Sequence, residues 1–489
     1  MDGNRIRPAL RARAVALFSV DLRSLALFRV GAALLILIDL AQRTPLLAAN
    51  YTDAGAHPRE VVLRYFVPGL LPSLHLLAGS ARAQAALFAL AALVALLLGV
   101  GYRTRLATAV SWWLLDSLHA RHGLVLDGGD HLLRHLLFWS LFLPLGARWS
   151  LDARRRGRLP PRPFVCNPAS AALLLQVGCM FFMTGLLKTG PEWADGSALE
   201  YALSRKWWIL PFGAWLLAHP PLPQWITPTV RWFEMLGPLA LFVPVFTARI
   251  RLCMIPAFWG FLAGLGLGLQ LNLFPWISGL GMLPFVPALA WDVLARRFPR
   301  PRAAPATPAS AGPSRVRRLG TLVVNTGVLA LLLVVLGLNA ATAGLRGLPS
   351  GPLQRVATAF HLDQGGWWMY APSPRHIDAW FEHRGRLANG ALVNLDRATG
   401  GAAWSSQVEQ AWADYRFKYY LQKLADPKWK RLTRPYALWL CRQWNADRQG
   451  GARLDTLEVF AVIQPISLGE EPEAPPDVQP LVGVVCPAE

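Results

Sequence analysis

Apolar residues in this chain fall in long, nearly unbroken runs, and not in strand-like alternation or in the narrow stripe of a surface helix. Nine runs stand out, at about 24–41, 84–101, 106–120, 131–146, 169–187, 227–248, 252–270, 272–291 and 319–341. About 20 apolar residues cross a bilayer as a helix, so the pattern predicts about nine spans, with 106–120 and 131–146 short enough to be tilted into the protein. The run 209–219 is too short to cross and reads as interfacial or re-entrant. Gly260, Gly264 and Gly268 repeat every four residues, the spacing of a close helix-packing face. After 345 the pattern changes. DAWFEHRGRL and ALVNL flank Asn389-Gly390, a strong hairpin signal. Segments 406–424 and 433–447 have helical periodicity, and LEVFAVIQPI and PLVGVVC read as strands. The expected fold is mainly α: a polytopic helical membrane protein with a small extracytoplasmic α+β domain at the C-terminus. Its parts are a transmembrane core at 1–298, a Pro/Ala-rich linker at 299–318, a last span at 319–341 and the outer domain at 345–489.

Charge orients this arrangement. The net charge of +20 sits in a chain that is 54% hydrophobic with a mean hydropathy of +0.32, and it forms no basic stripe of the kind that binds nucleic acid. The segments 1–23, 102–105, 147–168, 249–251 and 292–318 carry 22 Lys and Arg, whereas the longer opposite loops 42–83, 121–130 and 188–226 carry 8. Positive charge stays in the cytoplasm, so the N-terminus is expected inside and the domain after 345 outside. The first run follows five arginines as a signal peptide would, but it contains Arg29 and lacks a clear cleavage site, so it reads as a retained span. Of five cysteines, Cys441 and Cys486 both fall on the outer, oxidising side and are expected to form a disulfide.

Candidate chemistry gathers on that same outer face. Of 49 Lys and Arg only six are Lys, and only Lys188 and Lys206 precede residue 410. Lys188 sits where an apolar helix gives way to the polar turn of QVGCMFFMTGLLKTGPEWADGSALEY. A desolvated Lys can lose its proton and act as a base, which Arg cannot; on spacing alone a snorkelling Lys at a helix end is the plainer reading. The connection HARHGLVLDGGDHLLRH holds His119, His122, Asp127, Asp130, His131 and His135, four of ten histidines within 17 residues. The cluster could hold a metal, since His131 and His135 share a helix face, but no Cys or H-E-x-x-H accompanies it and no metal is expected. A solvated loop with helix-capping Asp is the other reading. Arg29, Asp39, Glu234 and Asn272 are polar within apolar runs, and buried charges should pair.

The segment GLLKTGPEWADGSALEY resembles the core of the vitamin K-dependent γ-carboxylases, which bacterial HTTM (horizontally transferred transmembrane) domain proteins share. Gly185, Lys188, Trp193, Asp195 and Gly196 fall on that pattern. The looser, hydrophobic resemblance to HTTM proteins extends over most of 20–465, with Arg29 and Glu234 at positions usually polar there and DQGGWWMYAPSP similar to the opening of the outer part. The resemblance implies an enzyme of the bacterial cytoplasmic membrane with Lys188 as catalytic base. Asp130-His131 matches the polar–His pair that opens the corresponding helix, where the His assists the Lys. Trp193, Asp130, His135 and His119 would bind substrate or cofactor, and Arg29 and Glu234 would form structural charge pairs. The implied cofactors are a reduced quinone, O2 and CO2. The implied partners are membrane lipids and a peptide or small-molecule acceptor, with no nucleic acid. In that chemistry a deprotonated hydroquinone reacts with O2 to give a base strong enough to take a proton from a glutamate γ-carbon, to which CO2 adds. This chain has no His between His219 and His361 and a far smaller outer domain than the carboxylase, so quinol deprotonation transfers more readily than carboxylation. The alternative is a non-enzymatic binder or transporter of a lipid-like ligand using the same cavity.

Overall fold

The helix that ends beside Lys188 is the hub of the molecule. In the computed structural model, which describes residues 3–65, 71–157, 160–296, 315–363, 367–395, 404–469 and 474–487, the principal helices of the membrane part are α1 (Leu22–Arg43), α2 (Ala81–Val100), α3 (Thr104–Arg121), α4 (Gly128–Ser140), α5 (Pro168–Leu186), α6 (Leu222–Ala240), α7 (Thr247–Gly268), α8 (Phe274–Gly281) and α9 (Arg315–Thr342). α5 packs against α4, α6, α8 and α9. Its start is fixed locally. Pro168 occupies the first turn, and Asn167 and Ser170 cap each other's backbone N–H at 2.9 and 3.0 Å.

Each of the nine apolar runs contains a helix, but five helices among the described residues are long and apolar enough to cross a membrane: Leu22–Tyr51 counted as one, α2, α5, α7 and α9. A sixth arises if the bent pair Phe274–Phe285 and Ala288–Arg296, at 87°, is one span. α3 and α4 are shorter and more polar because they carry Asp116, His119, Arg121, Asp130, Arg134 and His135, all buried in the protein. The 209–219 run gives only the short helix Pro211–Leu217. Within α7 the glycine stripe does not pack as its spacing suggests. A Cβ on Gly260 or Gly264 would meet nothing within 4 Å, and only Gly268 lies against another backbone, that of Gly213. The linker 299–318 falls almost wholly outside the described residues.

The C-terminal part is a four-stranded antiparallel sheet in the order β2-β1-β3-β4, formed by β1 (Ile377–Leu387), β2 (Leu392–Asn394), β3 (Leu454–Pro465) and β4 (Asp477–Val485). The β1–β2 hairpin turns at Asn389-Gly390, with Gly390 at φ +88° where a side chain would be strained. The 406–424 segment is two helices, Ser406–Ala413 and α10 (Tyr415–Leu424), because Asp414 ends the first in an extended conformation and caps the second through Phe417 N–H at 2.9 Å. α11 (Thr433–Asn445) lies on β3 and β4, and Cys441 of α11 is joined to Cys486 by a disulfide. This part is docked on the membrane helices, and α10 reaches into them.

Candidate active site

Lys188 lies two residues past the end of α5, and a glycine decides what it meets. A Cβ on Gly185 would come within 2.8 Å of the backbone nitrogen of Met235 and 3.0 Å of the Arg231 carbonyl oxygen. Only the missing side chain lets α5 and α6 approach so closely, and that approach brings Glu234 to Lys188. The Lys188 ammonium donates a short hydrogen bond to the Glu234 carboxylate, and the two side chains are 3% and 7% exposed. The face of Trp193 lies 4.9 Å from Lys188 Nζ. Its indole N–H is fixed by the Tyr370 carbonyl at 3.1 Å. Asp195 accepts from the N–H and hydroxyl of Ser197 at 2.9 and 2.7 Å, and Gly196 takes φ +92°, so this half of the motif shapes the turn. Burial pushes the Lys188 amine below its usual pKa, while the charge of Glu234 and its hydrogen bond pull it back up.

The pair faces a cavity of about 420 Å³. Its membrane-side wall is apolar, with Phe181, Phe261, Leu265 and Phe274 among its residues. Its roof comes from the C-terminal part: Met369 and Tyr370 of the aromatic segment, and Tyr415 and Tyr419 of α10. Trp208 stands edge-on to Tyr415, ring centres 5.3 Å apart. Burial pushes the Tyr419 hydroxyl up to about 12, so it stays a neutral donor at ordinary pH. On the rim, Arg205 and Arg375 line the same space. Gln422, its amide turned to accept, takes hydrogen bonds from both, the one from Arg375 being 2.9 Å.

The other expected site residues lie elsewhere. His131 is not brought to Lys188: its Nδ1 is 3.1 Å from a nitrogen of Arg134, and no histidine lines the cavity among the described residues. The loop preceding α4 does reach the cavity, but through Asp127 and Gly128. Asp130 is held in a closed ion network, with Arg43 at 2.7 Å and Arg416 at 2.7 and 3.1 Å, instead of facing the cavity. His119 sits 3.6 Å from Asp130 at the edge of that network. Asp39, His119 and Asp130 lie close enough together to suggest a cation site, but the two guanidiniums already supply the positive charge there. His135 is buried edge-on to Trp367, 6.2 Å between ring centres. His119 belongs to α3, and His131 and His135 share a face of α4 that packs away from the Lys188 cavity, which explains why closeness in sequence misleads.

Among the described residues Arg29 forms no salt bridge with an acid. Its guanidinium is cradled by the carbonyls of Leu145, Arg148 and Trp149, at 3.2, 3.4 and 2.5 Å. Glu234 does form a charge pair, but with Lys188, which places it inside the candidate site instead of in a separate structural pair. The residues that sequence reasoning missed are Arg205, Arg375, Tyr415, Tyr419 and Gln422. The last four follow the ninth apolar run, and nothing in the local sequence says that they fold back over Lys188. Arg205 carried a weak signal, lying with Lys188 in the connection between α5 and α6.

No curated protein and no solved structure matches this chain at a significant level. The family model of the HTTM domain, a domain associated with vitamin K-dependent carboxylase-like membrane proteins, matches residues 18–291 and so contains Lys188, Trp193 and Glu234. With more than half its length matched, from just before α1 into the helix Ala288–Arg296, the chain belongs to the HTTM domain family.

Proposed function

We propose that the protein is a membrane-embedded enzyme in which Lys188 takes a proton from a hydroxyl of a reduced quinone, coupling its oxidation by O2 to modification of a carboxylate-bearing acceptor outside the cytoplasm. The observation that carries this reading is the Lys188–Glu234 pair, buried at the wall of a cavity whose membrane-side wall is apolar. A cavity of this size with aromatic walls fits a flat, apolar ring. The quinol would supply the reducing equivalents for O2, with CO2 as the added group where the modification is a carboxylation. Phe181, Phe261, Phe274 and Trp208 would hold the ring and exclude water. In its neutral form Lys188 forms the new N–H bond as the quinol O–H bond breaks, and Glu234 stabilises the resulting ammonium. Trp193 fixes the amine by presenting its ring face. Arg205 and Arg375, with Gln422 between them, supply a paired cationic surface suited to a carboxylate. The loop charges support a cytoplasmic N-terminus and an outer C-terminal part.

The test is quinol consumption by the purified protein in detergent, with and without O2 and bicarbonate. O2-dependent consumption that disappears in Lys188→Arg supports the proposal. Tight quinol binding with no consumption under any condition would replace it with the binder or transporter reading.

A further inference from the structure

The end of α4 remote from Lys188 opens on a second cavity, of about 630 Å³. Its wall is made by the start of α3, the turn 143–147 and the short helix Leu151–Arg156. The charge of this lining is one-sided: Arg103, Arg105, Arg155 and Arg156 surround one acid, Asp152. That acid is already engaged, accepting from the backbone N–H groups of Arg103 and Thr104 at 3.0 and 2.7 Å and from the Thr104 hydroxyl at 2.7 Å. Arg156 donates to the carbonyls of Gly146 and Asp152, at 2.7 and 3.1 Å. Arg103, Arg105 and Arg155 remain exposed, with Arg155 lying 4.6 Å over the ring of Tyr102.

The apolar side of the cavity is as telling. Leu143, Pro144 and Leu145 line it and Leu106 lies on its rim, 56% exposed. The exposed face of α2, with Leu93, Leu96 and Val100, runs up to the same level. The cavity therefore sits where a lipid-facing helix surface ends and a guanidinium cluster begins. A soluble anion would need the cations but not the apolar rim.

We propose that this cavity binds the headgroup of an anionic phospholipid, its phosphodiester held by Arg103, Arg105 and Arg155 and its acyl chains lying along Leu106 and α2. Guanidiniums next to an apolar helix face suit this ligand because they meet phosphate oxygens in pairs while the chains stay in hydrocarbon. The proposal does not depend on the chemistry at Lys188.

Full-length protein in a neutral detergent is titrated with phosphatidylglycerol, with phosphatidylcholine of the same chain length and with inorganic phosphate, reading the thermal unfolding midpoint. Phosphatidylglycerol should raise the midpoint to saturation while the other two do not. Arg105→Gln with Arg155→Gln should weaken its apparent affinity about tenfold or more. Arg154→Gln, an exposed neighbour outside the cavity, should titrate as the wild type. A double variant that titrates as the wild type, or equal stabilisation by phosphatidylcholine, overturns the site. Inorganic phosphate that matches phosphatidylglycerol overturns the lipid as its ligand.

Discussion

Two buried clusters of charge lie near the start of α4, and they are built on opposite principles. The Asp39–Arg43–Asp130–Arg416 network is closed. Asp39 accepts from Arg43 at 2.8 Å and from Arg416, Asp130 accepts from both arginines, and Arg43 also donates to Tyr51 at 2.8 Å. Its cations cannot be deprotonated, and none of the four residues lines the Lys188 cavity, so the network has one state. The Lys188–Glu234 pair has one cation, one anion and open space beside them, and its cation can give up a proton. Burial of charge therefore does not by itself mark a site of chemistry. The proposed site of chemistry is a titratable amine beside a largely apolar cavity, whereas the arginine network joins α10 to the membrane helices.

Removing Lys188 should have the largest effect. Lys188→Arg and Lys188→Ala should both lower O2-dependent quinol consumption by about 10²- to 10⁴-fold, the usual worth of a positioned general base. Both should still insert and fold, because Glu234 can protonate beside the cavity instead of remaining as a buried unpaired anion. Full activity in Lys188→Arg would reduce this pair to the same structural role as the arginine network. Arg416→Ala should do the reverse. It leaves Asp39 and Asp130 short of a cation in a closed interior, with an expected cost of about 3–5 kcal/mol, read as a lowered unfolding midpoint. A variant as stable as the wild type would show that the network does not fasten α10 to the membrane helices.

The contrast between the clusters was only half legible in the sequence. The Lys188 turn announces itself, because Gly185, Lys188, Trp193 and Gly196 act within a few residues of one another. The hairpin at Asn389-Gly390 is equally local. Glu234 is 46 positions from Lys188 and Arg416 is 286 from Asp130, and no periodicity predicts which distant charge will meet a given one. The histidine run failed for a related reason: His131 and His135 share one face of α4, and which face of a buried helix meets the Lys188 cavity is set by tertiary packing. Run length counts α3 and α4 as spans, whereas five helices among the described residues are long and apolar enough to cross, because α3 and α4 bury polar side chains against the protein.

The disulfide tests the C-terminal part by itself. Cys441 and Cys486 close a loop of 45 residues between α11 and the end of β4, and such a crosslink is worth about 2–4 kcal/mol. Cys441→Ser with Cys486→Ser should lower the unfolding midpoint by less than Arg416→Ala does, with turnover per folded molecule unchanged. Alkylation of both thiols in unreduced wild-type protein, seen by intact mass, would remove the crosslink from this account.

The smallest expected effect tests the open pair most closely. The Lys188 amine is pushed down by burial and held up by Glu234. Glu234→Gln keeps the shape and a hydrogen-bonding oxygen but removes the negative charge, so the downward influence of burial loses its electrostatic opponent and is countered only by the retained hydrogen bond. The free amine is the active form of a base, and the acidic limb of the pH–activity profile follows its pKa. That limb should therefore move to lower pH in Glu234→Gln, by about one unit or more, the usual reach of a neighbouring opposite charge. Activity above both values should stay within several-fold of the wild type. An unmoved limb would mean that Glu234 does not set the amine, and the pair would then be no more than a second structural contact. Loss of activity at every pH, in protein that still folds, would make Glu234 itself the base and Lys188 the group that holds it.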